Sequence, residues 1–220
     1  MCRFLLCKSK NLISPNRILK SFSNMAQKSK AFDGDWQGDG WGFSWLENNK
    51  WKEYKSLKPI WEENEKFMEF PQSNVFTIHA RSASFPQHRN IIEYNQPFIN
   101  NTFSYVFNGL LKGVTLSLPG EIGAQKIWSL LNSYLDKIDL SRALDKTVNI
   151  LKKNSKTIQA LNIGLAKKNA ISAYCFYLKH PEYYSLKYCD NFNIKLICSE
   201  VIAGFNFNFK SLPTNSLIIL

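Results

Sequence analysis

Extended apolar segments at both ends of the chain flank one helical block, and this order limits the folds that are available. In the first half, CRFLLC, WGFSWLE, WKEYKSL, NVFTIHA and FSYVFNGL are typical of β-strands. After Thr157 the strand-like segments return as TIQALNIGLA, AISAYCFYL, YYSLKYC, IKLICSE, FNFNF and SLIIL. Apolar spacing predicts helices from Pro15 to Lys28, Trp61 to Phe70, Ile122 to Leu135 and Ser141 to Lys152. Because every apolar sheet face must be buried, we predict stacked antiparallel sheets covered by helices.

Length and cysteine content set further bounds. A chain of 220 residues with 45% hydrophobic content can bury a substantial core, and no break in composition requires a second domain, so we predict one domain over residues 1–220. The five cysteines are odd in number and lack C-x-x-C spacing, which argues against a disulfide framework and a structural zinc site. We therefore expect a protein of the reducing cytoplasm, with no metal and no cofactor.

The basic N-terminal segment and the net charge bear on targeting and on binding partners. The apolar run from Phe4 to Cys7 is too short for a secretory signal, and no stretch approaches a membrane span, although a transit peptide is an alternative for this basic segment. The net charge of +11 raises nucleic acid as a partner, but the lysines are scattered along the chain rather than clustered. We predict neither a membrane nor a nucleic-acid partner.

Cys2 is the first candidate for chemistry, because removal of Met1 would leave a cysteine with a free α-amino group. A thiol reacts as the thiolate, and a neighbouring amine with a near-neutral pKa can accept its proton directly or through water. The alternative is an unreactive cysteine buried in a strand.

Three further clusters could take part in chemistry. The segment DGDWQGDGWGFSW holds Gly34, Gly38, Gly40 and Gly42 before a strand, which suits close backbone approach or merely a tight loop. In HARSAS, His79 and Arg81 are expected to project to one side of an extended chain, where Arg81 could clamp a carboxylate or form a surface ion pair. Asn108-Gly109 is either a hairpin turn or an oxyanion hole made by a side-chain amide and a backbone N–H.

The order and spacing of these clusters resemble one family. Cys2, the segment GDGWGFSW, HARSAS, QPF at Gln96 to Phe98 and FNGLLKG around Asn108 are similar to class II glutamine amidotransferases, and most similar to standalone, single-domain members. The closing segments LNIGLAKKNAISAYCF, HPEYYSL, ICSEV and LPTNSLIIL extend the resemblance over nearly the whole chain.

The resemblance implies an α/β (α+β) fold of the N-terminal nucleophile hydrolase type, a four-layer αββα sandwich of two antiparallel sheets. It also implies that Cys2 attacks the side-chain amide of glutamine or of a γ-glutamyl amide, with its own α-amine as proton shuttle. Asn108 and Gly109 would hold the oxyanion, while Arg81 and Ser84 would bind the substrate. Because the chain has no separate synthase domain, ammonia would pass to a partner protein, or the enzyme would be a simple hydrolase.

One departure from the family pattern leaves a second function open. The family usually carries an aspartate for the substrate α-ammonium where this chain has Gly123 in GEIGAQK, and Glu121 is a hypothetical replacement. The alternative is therefore a catalytically impaired member that binds or regulates a partner synthetase. Retention of Met1 would favour that alternative.

Overall fold

A computed structural model describes residues 1–29 and 31–220, and within these residues twelve strands form two antiparallel sheets. The larger sheet has the strand order β11-β9-β10-β1-β4-β2-β3, and the smaller sheet has the order β12-β8-β7-β6-β5. The strands of the larger sheet are β1 Arg3–Ile13, β2 Trp41–Glu47, β3 Lys50–Ser56, β4 Ser73–Ala80, β9 Lys187–Asp190, β10 Ile194–Cys198 and β11 Lys210–Ser211. Those of the smaller sheet are β5 Phe98–Ile99, β6 Ser104–Val114, β7 Ser155–Lys167, β8 Ala170–Cys175 and β12 Ser216–Ile219.

The helices cover the outer face of each sheet. Helix α1 (Asn16–Lys28) packs on the larger sheet, whereas α2 (Gly123–Leu135) and α3 (Leu140–Lys153) pack on the smaller one. A short helix, α4 (Pro181–Tyr184), precedes β9. None of the described helices has both the length and the apolar character needed to cross a membrane.

Alternation along β1 shows how the layers are specified. Leu5 and Cys7 face the core beneath α1, while Phe4 and Leu6 face the smaller sheet, where they meet Val106 and other apolar residues. Successive side chains of a strand point to opposite faces, so the uninterrupted apolar run from Phe4 to Cys7 must be covered on both. The layer order is therefore helix, sheet, sheet, helix, and the predicted αββα sandwich is confirmed.

The three long helices begin and end within one residue of their predicted positions, but other elements differ. The segment predicted as one helix from Trp61 to Phe70 forms two 3-10 turns, Ile60–Glu62 and Asn64–Met68. Between them the Glu63 carboxylate is drawn inward, because it accepts hydrogen bonds from the Trp41 indole at 2.8 Å and the Tyr54 hydroxyl at 3.3 Å.

The predicted strand FNFNF is not a strand. Phe205, Phe207 and Phe209 instead pack as partly buried rings against the core beneath α1, and pairing with β9 starts only at Lys210. Alternating aromatic residues are typical of a strand, but their rings can be buried without a hydrogen-bonded neighbouring strand.

Candidate active site

Cys2 faces a cavity of about 350 Å³ that all five predicted site residues line, namely Cys2, Arg81, Ser84, Asn108 and Gly109. Strand pairing brings the first two together. Arg3 lies opposite Ala80 in the β1–β4 pair. Cys2 and Arg81 therefore lie side by side at the same end of these two neighbouring strands. The Cys2 sulfur accepts a hydrogen bond from the Ser82 backbone N–H at 3.4 Å, and its thiol lies 3.6 Å from the Ser82 carbonyl, to which it donates.

Arg81 is a buried cation held by neutral groups. Its side chain is 4% exposed, and its guanidinium donates to Asn95 Oδ1 at 3.2 Å and to the His88 carbonyl at 2.5 Å. Burial lowers the pKa of Arg81, and the nearby Cys2 and Asp39 oppose that effect. Arg81 takes part in none of the ion pairs found among residues 1–29 and 31–220. A guanidinium of this kind is suited to a carboxylate that enters the cavity.

Asn108 lies inside β6, so the hairpin interpretation of Asn108-Gly109 is wrong. Its neighbour Asn162 in β7 has both amide atoms paired, donating to the Tyr184 carbonyl at 2.7 Å and accepting from the Phe176 N–H at 3.1 Å. The Asn108 side chain is 1% exposed, and neither of its amide atoms has a hydrogen-bond partner within the described chain. Buried polar groups are normally paired, so an unpaired amide that lines a cavity is available to a ligand.

Gly109 must be glycine at this position for a packing reason. A Cβ added there would lie 2.1 Å from the backbone oxygen of Ala160 on β7, a distance that backbone atoms cannot accommodate without moving. The glycine therefore allows β6 and β7 to pair closely beside the Cys2 end of the cavity.

Gln96 fixes the backbone next to Asn108. Its amide oxygen accepts from the Phe107 N–H at 2.5 Å, and its amide nitrogen donates to the Phe107 carbonyl at 3.3 Å. Gln96 is 3% exposed and also lines the cavity. The sequence marked QPF only as part of a motif, and this bracing role was not predicted.

His79 and Ser84 occupy different environments from the other candidates. His79 is completely buried, and burial together with the charge of Arg81 lowers its pKa to about 3. The sequence predicts that His79 and Arg81 project together from one side of the strand, but of these two residues only Arg81 lines the cavity. Ser84 lies at the exposed rim.

Met1 is surrounded by a group of polar residues that the sequence analysis did not predict as part of the site. The Met1 amine forms an ion pair with Asp35, and the Met1 carbonyl accepts from Gln37 Nε2 at 2.7 Å and from the Tyr183 hydroxyl at 3.1 Å. The Asp35 carboxylate also accepts from the Ser82 hydroxyl at 2.6 Å. Asp35 and Gln37 lie within the glycine-rich segment DGDWQGDGWGFSW, and their position among its glycines is the sequence signal that marks them.

The first turn of α2 forms the opposite side of the cavity. Glu121 is exposed there, and Gly123 is the first residue of the helix. A Cβ added at Gly123 would meet no atom within 4 Å, so this position is open.

Comparison with known proteins identifies the fold. No family model and no curated protein sequence matches the chain. Among solved structures, a glutamine aminotransferase class-II domain protein from Silicibacter pomeroyi matches with a TM-score of 0.64 and 13% identity, covering 99% of this chain and 94% of that one. A predicted glutamine amidotransferase from Pseudomonas aeruginosa matches with a TM-score of 0.54 and 11% identity, covering 100% and 93%.

Glutamine phosphoribosylpyrophosphate (PRPP) amidotransferase from B. subtilis, complexed with ADP and GMP, gives a TM-score of 0.70 at 13% identity. That match covers all of this chain but 47% of the other, so this chain spans about half of its length. The chain therefore has the N-terminal nucleophile hydrolase fold of the class II glutamine amidotransferases.

Proposed function

We propose that residues 1–220 form one amidohydrolase domain of the class II glutamine amidotransferase type, with Cys2 as its nucleophile once Met1 is removed. The observation that carries the proposal is the composition of one cavity. It contains the Cys2 sulfur, the buried Arg81 guanidinium without an ion-pair partner, and the buried Asn108 amide without a hydrogen-bond partner. These groups match a nucleophile, a carboxylate binder and an oxyanion donor.

The reaction has two halves. Cys2 Sγ attacks the side-chain amide carbon of glutamine or of a γ-glutamyl amide, while the freed Cys2 amine takes the thiol proton and passes it to the departing nitrogen. The C–N bond breaks as the γ-glutamyl thioester forms, and ammonia or an amine leaves. Water then attacks the thioester carbon, which releases the γ-carboxylate and restores the thiol.

The remaining residues stabilise and orient these species. The Asn108 side-chain N–H and the Gly109 backbone N–H donate to the oxyanion, an interaction that typically contributes about 10²–10³ in rate. Arg81 binds the α-carboxylate, and the Ser84 hydroxyl contacts the substrate from the rim. The released ammonia is used by a partner protein or leaves the enzyme.

A second candidate function is a non-catalytic subunit that binds or regulates a partner synthetase. It is favoured by the seating of Met1, whose amine and carbonyl are both bound by the protein. While Met1 is present the Cys2 nitrogen belongs to a peptide bond and cannot accept a proton.

The two candidates are separated by measuring the mature N-terminus and the reactivity of Cys2. Mass spectrometry of the purified protein is expected to show a chain that begins at Cys2, and a glutamine-mimicking diazoketone is expected to modify that residue. Cys7→Ala is the matched control, because Cys7 is fully buried on the same strand and burial raises its pKa. Cys2→Ala should abolish ammonia release, whereas Cys7→Ala should retain it. Retained Met1 together with equal turnover by both variants would support the non-catalytic subunit.

A further inference from the structure

The cavity continues past the predicted site residues into a region that glutamine has no chemical reason to occupy. Its far side is apolar and is formed by the end of β6, the segment that follows, and the start of α2. We call this surface the apolar wall; it consists of Leu111, Val114, Leu116, Leu118, Ile122 and Ile127.

Charges around the cavity favour a ligand that carries a carboxylate. Arg81 and Lys126 contribute positive charge, and of the described residues that line the cavity only Glu121 carries a carboxylate. Glu121 is exposed, and Gly123 beside it has no side chain.

The size and lining of the cavity leave room for an apolar substituent. At about 350 Å³ it falls within the range of roughly 300–1,000 Å³ that is typical of sites for drug-sized ligands. Such sites combine a mainly apolar lining with a few convergent polar groups, and here those groups are Cys2, Arg81 and Asn108.

We propose that the preferred substrate is a carboxylate-bearing amide that also carries an uncharged, apolar substituent. Arg81 binds the carboxylate, Cys2 and Asn108 act on the amide, and the apolar wall holds the substituent. Two kinds of molecule have this chemistry: glutamine acylated on its α-nitrogen, and a γ-glutamyl amide of an apolar amine. The inference rests on the proposed function, and the bonds that form and break are those described above, with water as co-substrate.

The test compares kcat/KM across two series of amides. One series is glutamine bearing an acetyl, butyryl or hexanoyl group on the α-nitrogen, and the other is the γ-glutamyl amides of methylamine, butylamine and hexylamine. Because burial of each methylene is favourable, kcat/KM should rise about threefold per methylene in the series whose substituent reaches the wall, and should exceed that for free glutamine. The series that responds identifies the side of the scissile bond on which the wall lies.

A pair of variants tests whether the rise in kcat/KM with substituent length depends on the apolar wall. Leu118→Glu places a charge on the wall within a segment outside helices and strands, and Leu178→Glu is its control, since Leu178 is 67% exposed and outside the cavity. Leu118→Glu should lower kcat/KM for the longest responding amide at least tenfold and leave free glutamine within about twofold. Leu178→Glu should change neither.

Binding to the Cys2→Ala variant separates failure of this inference from failure of the proposed function. Calorimetry with hexanoyl-glutamine and γ-glutamyl hexylamide reports occupancy of the cavity whether or not the wild-type protein turns over any amide. Tight binding without wild-type turnover would refute the proposed hydrolase activity but support the inferred preference for a carboxylate-bearing amide with an apolar substituent. Free glutamine that binds and reacts as well as every apolar amide would overturn the inference, and so would Leu118→Glu behaving like Leu178→Glu.

Discussion

The side-chain amide of Gln96 brackets the backbone of Phe107, accepting from its N–H and donating to its carbonyl. Phe107 immediately precedes Asn108, so Gln96 determines where the proposed oxyanion donor points. Because misplacement of a catalytic group by about 1 Å can cost roughly 10²-fold in rate, Gln96→Leu should lower kcat about 10- to 100-fold. Steady-state kinetics should show KM within about threefold of wild type. An equal loss in Cys2 labelling and in folded fraction would point to a purely structural role.

The unpaired Asn108 amide predicts a separation of activity from stability. Asn108→Ala removes a donor that we place at the oxyanion, so kcat should fall about 10²–10³-fold. Stability should hold or increase, because the variant removes two buried polar atoms that have no partner in the described chain.

Asn162→Ala is the matched control for Asn108→Ala, since Asn162 lies directly opposite on β7 with both amide atoms paired. Chemical denaturation should show a loss of about 1–3 kcal/mol for Asn162→Ala, because the Tyr184 carbonyl and Phe176 N–H lose their partner. If Asn108→Ala is the less stable of the two, its amide is paired in solution and the oxyanion assignment is wrong.

Arg81→Lys tests recognition of a carboxylate. Lysine keeps the charge but cannot hold Asn95 and the His88 carbonyl while presenting a planar pair of donors, so KM for a carboxylate-bearing amide should rise at least about tenfold. Arg3→Lys provides the comparison, because Arg3 is equally buried but bonds to Glu200, Ser29 and Tyr183 and does not line the cavity. Arg3→Lys should reduce stability and leave KM unchanged. The reverse pattern would argue against Arg81 as a substrate contact.

His79 predicts a specific loss of stability in acid. Its pKa is lowered from 6.5 to about 3 in the folded protein by burial and by Arg81. Between these two pH values the imidazole is protonated in the unfolded chain and neutral in the folded one. Stability therefore falls as the pH drops below 6.5 and continues to fall until about pH 3. A shift of one pKa unit corresponds to about 1.4 kcal/mol, so His79→Leu should lose about 2–3 kcal/mol less than wild type between pH 7 and pH 4.5.

Denaturant titrations at both pH values measure this difference. His180→Gln should follow the wild-type curve, because His180 is partly exposed and stacks on Phe32 at the surface. An identical pH response in His79→Leu and wild type would show that the imidazole is not responsible.

The layers could be predicted from the sequence because burial leaves a local signature. The uninterrupted apolar run from Phe4 to Cys7 and the helical spacing around Leu144 each indicate which faces are covered. Asn108-Gly109 shows the limit of such reasoning. The same dipeptide suits a tight hairpin, and only the pairing of Asn108 with Asn162, far away in the sequence, decides that the strand continues through it.

The sequence predicts the candidate site residues that stand in short motifs, but not those whose roles depend on contacts with distant segments. Cys2, Arg81 and Asn108 stand in short patterns, whereas the roles of Asp35, Gln96 and Tyr183 depend on atoms from distant segments. Tyr183 reaches the Met1 carbonyl across 182 positions of the chain, and no local pattern records that proximity.

The cavity is lined partly by strands inside a sheet and partly by a loop, and the loop accepts changes of sequence more readily. The end that holds Cys2 and Arg81 adjoins β1 and β4, which are hydrogen-bonded inside a sheet, and β6, which Gln96 contacts from the side. Much of the apolar wall comes from residues 115–122, which belong to no helix or strand. Exchange of this one short loop would therefore alter the proposed selectivity and leave the strands beside Cys2, Arg81 and Asn108 unchanged.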